Sequence, residues 1–485
     1  ITLTGTDLTF ADTVDGAQNL TLDFSNATAF NGNVGSGTPI GDGGGAALTI
    51  NGTGTTAFNG TVDTDSAINQ ANGAGTVTFT ENVFISGSTV SNFNADTVLD
   101  GMTFNSSGNV NFGNAAGDTL TINTAPTTID TASGAITVNA VTTLNNDLTI
   151  DTGAFDAITI NGAVNGNNNL TLDGQPATLG LVGDSTPINT LDVNTGNLTL
   201  NNDITTTGNI QFDGVVGNIV LNEGGGETMK LTTGGDFTSN GATFNESALD
   251  GEDLTINADG SVTLGAVDLN NNTDGDLIVV ADFDDNGNET LQVTDTIQNV
   301  SFATLTGGGT GTGDTIDIDA DIDTQFGGAG SGPLTIMNAD TVEIDASGPR
   351  TLESPKGFNM NTNIGSIILN NGPNLVTLAS TFAANNVNIG GDIITTDEAP
   401  LTISGKDIQT AGVDLSNSAT TGGALTVNVD LNNNGAFDWK INGNVEAGSV
   451  DVNGTGGNDT VDFTDTYSVT SRNGAIEMAD GGNIT

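Results

Sequence analysis

Hydrophobic and polar residues alternate in short runs along almost the whole chain, as in Leu148-Thr149-Ile150 and Ile158-Thr159-Ile160. A period of two is the signature of a strand, and Asn, Gly and Asp punctuate the runs as turn residues do. No stretch keeps the 3.6-residue apolar period of a helix. The pattern predicts an all-β chain. The runs also repeat. Leu20 to Val34 (LTLDFSNATAFNGNV) and Leu48 to Val62 (LTINGTGTTAFNGTV) align without a gap at an offset of 28, with 8 of 15 positions identical. Ala135 to Ile150 and Ala157 to Leu172 align at an offset of 22, with 8 of 16 identical.

Self-similarity at such periods marks a stack in which each repeat is one turn. The expected architecture is a parallel β-solenoid with variable rungs of about 22–28 residues. Equivalent residues then stack ~4.8 Å apart, which places Leu48 on Leu20 and Phe58 on Phe30. A Leu-Thr-hydrophobic triplet recurs at Leu20, Leu48, Leu120, Leu148, Leu170 and Leu198, at spacings that include 28, 22 and 28 again. After about Val267 the repeats loosen and aspartate runs and glycine clusters enter. The reading divides the chain into a regular solenoid over 1–265 and a β-rich continuation over 266–485 with Asp/Asn/Gly loops.

Composition narrows the chemistry. Six residues are basic and 59 acidic, for a formal charge of -53, and there is no His and no Cys. Such a charge repels nucleic acid, which needs a basic stripe. It suits a secreted protein in a medium whose salt or divalent cations screen the carboxylates. Disorder is rejected because 35% of residues are hydrophobic and alternate strictly. No segment approaches the ~18 apolar residues of a membrane helix, so no membrane span is expected. Without His or Cys, Ser-His-Asp triads, Cys-His pairs and His-ligated metals are impossible within the chain. No catalytic residues are assigned, and the expectation is that the chain is not an enzyme.

The candidate chemistry is calcium. Asp430, Asn432 and Asn434 alternate before Gly435, and Asp438 follows. Alternation aims several oxygens at one centre, and Gly permits the sharp turn. Ile441 stands where an EF-hand needs its last carboxylate, so the loop resembles the shorter calcium loops of extracellular repeats; the alternative is an Asn-rich turn. A second copy places Asp282, Asp284 and Asn286 before Gly287, with Glu289 nearby. A weaker one begins at Asn270, and Gly454 to Asp462 resembles a single β-roll nonapeptide or a Gly-rich turn before a strand. Asp317, Asp319, Asp321 and Asp323 alternate with apolar residues, as one acidic strand face or a cation-binding stripe would.

The ungapped repeats, the Leu-Thr-hydrophobic triplets and the Gly/Asn turns resemble bacterial secreted and surface β-solenoids, in particular filamentous-haemagglutinin-like adhesins and autotransporter passenger repeats. The resemblance implies an extracellular or cell-surface location and a structural or adhesive role in a filament, coat or surface layer. The alternative is a polysaccharide-binding or polysaccharide-degrading β-helix with a cell-surface glycan as partner, for which the single Trp439 and the single Tyr467 offer little stacking surface. The chain begins ITLTG and ends GGNIT, already in strand pattern at both ends. This predicts either a longer chain or end-to-end self-association, each subunit closing the other's edge.

Overall fold

The computed structural model describes residues 1–485 except 116, 154, 224–226, 248–250, 270–274, 285–286, 309–312, 325–331, 345–349, 355–357, 370–373, 378–379, 385, 391–392, 396–399, 419–420, 430–437, 455–459, 464–467, 473–474, 480–482 and 485. It is an all-β parallel β-solenoid with no helix among the described residues. Two compact units are present, Ile1–Asn222 with Thr232–Gly235, and Glu223–Leu231 with Asp236–Thr485.

In the first unit each turn contributes to three parallel ladders. The first pairs Leu20 with Leu48, Leu48 with Ile68, Val110 with Ile136 and Ile136 with Ile158. The second pairs Phe30 with Phe58, Phe58 with Phe79, and then Phe79 with Leu99. The third pairs Val83 with Phe104, Phe104 with Ile129, Ile129 with Ile150 and Ile150 with Leu172. In the three-residue strands the first and last side chains are buried and the middle one faces outward, as in Ile136–Val138 and Ile158–Ile160. Alternation fixes this, because a one-residue slip would turn the apolar set to solvent.

The expected stack of Phe30 and Phe58 is present. Ring centroids lie 4.7 Å apart for Phe10 and Phe30, 4.8 Å for Phe30 and Phe58, and 5.1 Å for Phe58 and Phe79. The rung spacing is also a favourable separation for stacked rings, so ladder and aromatic geometry reinforce each other. The column stops where Leu99 succeeds Phe79, and Phe79 instead meets Phe93 edge-on at 5.9 Å. Asparagines stack likewise at the turns: Asn59 Nδ2 donates to Asn31 Oδ1 at 3.0 Å, and Asn161 Nδ2 to Asn139 Oδ1 at 2.9 Å. Hydroxyls close the third ladder. Thr64 Oγ1 donates to the Ser66 carbonyl and Thr195 Oγ1 to the Asn197 carbonyl, both at 2.7 Å.

The triplet spacing needs a correction. Leu20 and Leu48 share the first ladder and Leu148 and Leu170 share the third, so offsets of 28 and 22 there are true turns. Leu120, however, stands on the second ladder and Leu198 on the first. The steps of 28 from Leu120 to Leu148 and from Leu170 to Leu198 therefore pass from one face to another. Every face needs the same apolar-Thr-apolar triplet, so the triplet marks a strand and not a particular side of the turn.

The second unit keeps three ladders of its own. Its first runs through Leu254, Leu277, Ala303, Leu334 and Phe358, and later through Leu401, Leu425 and Val450. Its second runs through Val262, Leu291, Ile316, Val342 and Ile367, and later joins Ile408 to Trp439. The pairing holds there although rung length varies, because inserted residues collect at corners and leave the ladders in register. The aspartate quartet is split by such a corner. Asp317 lies in the strand Thr315–Ile318 and Asp323 in Ile322–Asp323, which belong to different ladders. The four remain outward-facing, but the chain bends between them. Gln292 Nε2 donates to Asp317 at 3.3 Å and to Asp319 at 3.1 Å, whereas Asp321 accepts from the Thr351 amide at 2.8 Å.

Candidate metal centre

The site is built at one corner of the second unit, where the chain leaves its first ladder for its second. Leu277–Val280 ends one strand and Thr290–Val293 begins the next; the described residues 281–284 and 287–289 lie at the corner between them. One turn later Ala303–Thr306 and Thr315–Ile318 take the same places. Asp282 enters the corner with φ of 51°, tied back by its own amide to the Gly260 carbonyl at 3.4 Å and by the Phe283 amide to the Ala258 carbonyl at 2.9 Å. That turn aims the Asp282 side chain inward, and the residue is fully buried.

Glu289 stands just before the next strand, and Asp314 is its equivalent one rung on. The Thr315 amide donates to the Glu289 carbonyl at 3.0 Å, and the Glu289 amide donates to Asp314 Oδ1 at 3.3 Å. One carboxylate oxygen each from Asp282, Glu289 and Asp314 lies within 4.8 Å of the others, with Asp282 and Asp314 buried and Glu289 half-buried. Gly308 lets the rungs meet: a Cβ there would fall 2.5 Å from the Asp282 carbonyl oxygen, and its φ of +115° disfavours any other residue.

Crowded carboxylates oppose one another's ionisation. Burial, followed by the charges of Asp282, Asp314 and Asp284, pushes the Glu289 carboxyl above its usual range. Asp259, at the corner of the preceding turn, is also raised by burial and then by Asp284 and Asp282. Glu289 Oε2 is buried without a hydrogen bond among the described residues. A proton or a cation would relieve this crowding. All three donors are carboxylate oxygens, the set that hard cations take. Oxygens at about 2.4 Å from a calcium ion lie up to ~4.8 Å apart, so the opening admits one.

Of the residues proposed from sequence, Asp282 and Glu289 meet here. Asp284 is exposed, and acts on the cluster through its charge. Asn286 lies outside the described residues, as do Asp430, Asn432 and Asn434; Asp438 opens the strand Asp438–Ile441. The weaker candidate at 270–274 and residues 455–459 of the β-roll-like stretch also lie outside them. Asp314 was missed. Its signal is in the sequence: Glu289-Thr-Leu-Gln-Val and Asp314-Thr-Ile-Asp-Ile share the pattern acidic-Thr-aliphatic-polar-aliphatic at an offset of 25. Comparison with known protein families, curated proteins and solved structures finds no match to this chain.

Proposed function

We propose that the chain is an extracellular structural or adhesive surface protein, a building element of a filament, coat or surface layer, in the manner of the haemagglutinin-like and autotransporter solenoids it resembles. One observation carries this reading: in both units the described residues are spent on the solenoid itself, as parallel ladders with side chains stacked from rung to rung. A stack is a mechanical element, since each rung supports only its neighbours. The charge of -53 fits a salt-rich, extracellular setting. Calcium at Asp282, Glu289 and Asp314 would act as a clamp between consecutive rungs, holding a corner whose carboxylates otherwise repel. The first rung, Thr2–Phe10, pairs on one edge with the next turn.

The polysaccharide reading has less support. Trp439 is buried, and its Nε1 donates to Thr410 Oγ1 at 3.1 Å, so it offers no platform to a sugar. Electron microscopy of the expressed chain in calcium-containing buffer tests the proposal. Filaments or ordered sheets are the expected outcome; dispersed single particles at every salt and calcium level tried would overturn it. A turnover screen on neutral and acidic glycans should be blank. Cleavage of any of them would transfer support to the enzyme alternative.

A further inference from the structure

We propose that Asn72 and Asn240 are sites of spontaneous backbone modification, converting to aspartate and isoaspartate through a cyclic imide, whereas the Asn-Gly pairs at Asn31, Asn51, Asn59, Asn161 and Asn165 are protected by the stack. This inference is independent of the calcium clamp and of the surface role. The chain holds 13 Asn-Gly dipeptides. In such a pair the glycine nitrogen, once deprotonated, can attack Cγ of the preceding asparagine. The nitrogen–Cγ bond forms, the Cγ–Nδ2 bond breaks, and ammonia leaves with the displaced proton. Water then opens the five-membered imide at either carbonyl. Attack at the former side-chain carbonyl gives aspartate, and attack at the backbone carbonyl gives a β-linked isoaspartate.

The reaction needs the glycine amide to swing round to Cγ. The solenoid resists that swing wherever the amide is tied to the neighbouring rung. The Gly52 amide donates to the Leu22 carbonyl at 3.3 Å, Gly162 to Val138 at 3.2 Å and Gly166 to Thr186 at 3.1 Å. Asn31 and Asn59 are held differently: their carboxamides bond each other at 3.0 Å. The backbones there are stacked so closely that a Cβ on Gly60 would lie 2.8 Å from the Gly32 carbonyl carbon.

Two pairs escape. Ala71-Asn72-Gly73-Ala74 and Ser239-Asn240-Gly241-Ala242 are four-residue turns, closed by the Ala74 amide on the Ala71 carbonyl and the Ala242 amide on the Ser239 carbonyl, each at 3.1 Å. The asparagine and glycine stand at the exposed tip in both. Gly73 has φ of +72° and Gly241 of +91°, and nothing lies within 4 Å of where either Cβ would be. Among the described residues neither glycine amide donates a hydrogen bond. The Asn72 carboxamide makes none, and Asn240 Oδ1 accepts one long bond, from Thr294 Oγ1 at 3.3 Å. Each turn projects from the ladders, so an added backbone atom there leaves the register intact.

The test is incubation of the whole chain in warm, mildly alkaline buffer, followed by peptide mapping by mass, with the same chain in concentrated urea as control. Asn72 and Asn240 should gain the mass of an amide-to-acid change about fivefold or more faster than Asn31, Asn59 and Asn161, the cost of first breaking a rung hydrogen bond. Isoaspartate should accompany aspartate at both sites, which marks the imide route. In urea the difference between sites should vanish. Equal rates at all five sites in the folded chain would overturn the proposal. So would intact Asn72 and Asn240 under conditions where the urea control reacts, or aspartate formed without isoaspartate.

Discussion

Glu289 is held where two consecutive rungs press carboxylates together, and its proton is the most direct reporter of that crowding. Its folded pKa is raised above the ordinary 4.5, first by burial and then by Asp282, Asp314 and Asp284. The sign follows from linkage. A raised acid binds its proton more tightly in the folded chain, so protonation favours folding. Without a cation, the stability of this corner falls as pH climbs from 4.5 through the raised folded value. Glu289→Gln removes the charge and keeps the shape. In chelator, melts between about pH 4 and about pH 7 should show the variant more stable than the parent at the neutral end, with the gap closing toward acid. A gap that does not change with pH would mean the crowding is already relieved by other means. Sequence reasoning reached two members of this cluster because Asp282 and Glu289 share one loop. It missed Asp314 because loop motifs are read along the chain, whereas the corner is assembled across a turn of 25 residues.

Corners, more than strands, decide where a rung can change. In the first unit Gly35 follows Val34, which pairs with Val62 on the third ladder, and Gly183 follows Val182, which pairs with Val164 on the second, with φ of +79° and +75°. A Cβ on Gly35 would lie 2.0 Å from the Asp63 carbonyl oxygen, and one on Gly183 would lie 2.0 Å from that of Thr205. Gly43 shares the backbone state, φ of +75°, but has open space around it. The pair separates two costs. Gly43→Ala should lose roughly 1 kcal/mol, the conformational term alone. Gly35→Ala adds a collision with backbone that cannot move without parting two rungs, and should lose several times as much, about 3 kcal/mol or more. Denaturant titration of the two variants measures the difference, and equal losses would show that the corner yields. At this scale the strands were legible. Period-two patterning and the two ungapped alignments gave the parallel stack, the inward faces and the Phe30–Phe58 contact. Assignment of a triplet to one of three faces was not legible, because all faces ask for the same side chains. The bend that splits Asp317 from Asp323 was hidden for a similar reason: in-out alternation continues around a corner as it does along a strand.

At the scale of the whole molecule the dominant fact is 59 acidic residues against six basic ones. Like charges stacked on successive rungs, such as Asp130, Asp151 and Asp173 on one outer ladder, repel across the short rung spacing. Salt should therefore stabilise the chain generally by screening, and a divalent clamp should stabilise it locally by binding. The two effects are separable. Raising sodium chloride should raise the melting midpoint of the parent chain and of a double Asp282→Asn, Asp314→Asn variant alike. Exchanging sodium for calcium at matched ionic strength should raise the parent further. A ligand that binds only the folded state adds ~2.7 kcal/mol at 100 times its dissociation constant, ample for a visible shift. The variant lacks two of the three carboxylates and should lose the extra rise while keeping the response to sodium. In chelator it should melt no lower than the parent, since neutral amides relieve the repulsion at the corner. Identical calcium shifts in parent and variant would move the cation to other carboxylates, such as the outer aspartate ladder. Identical midpoints in sodium and calcium for the parent would leave screening as the whole effect and remove the clamp from the proposed function.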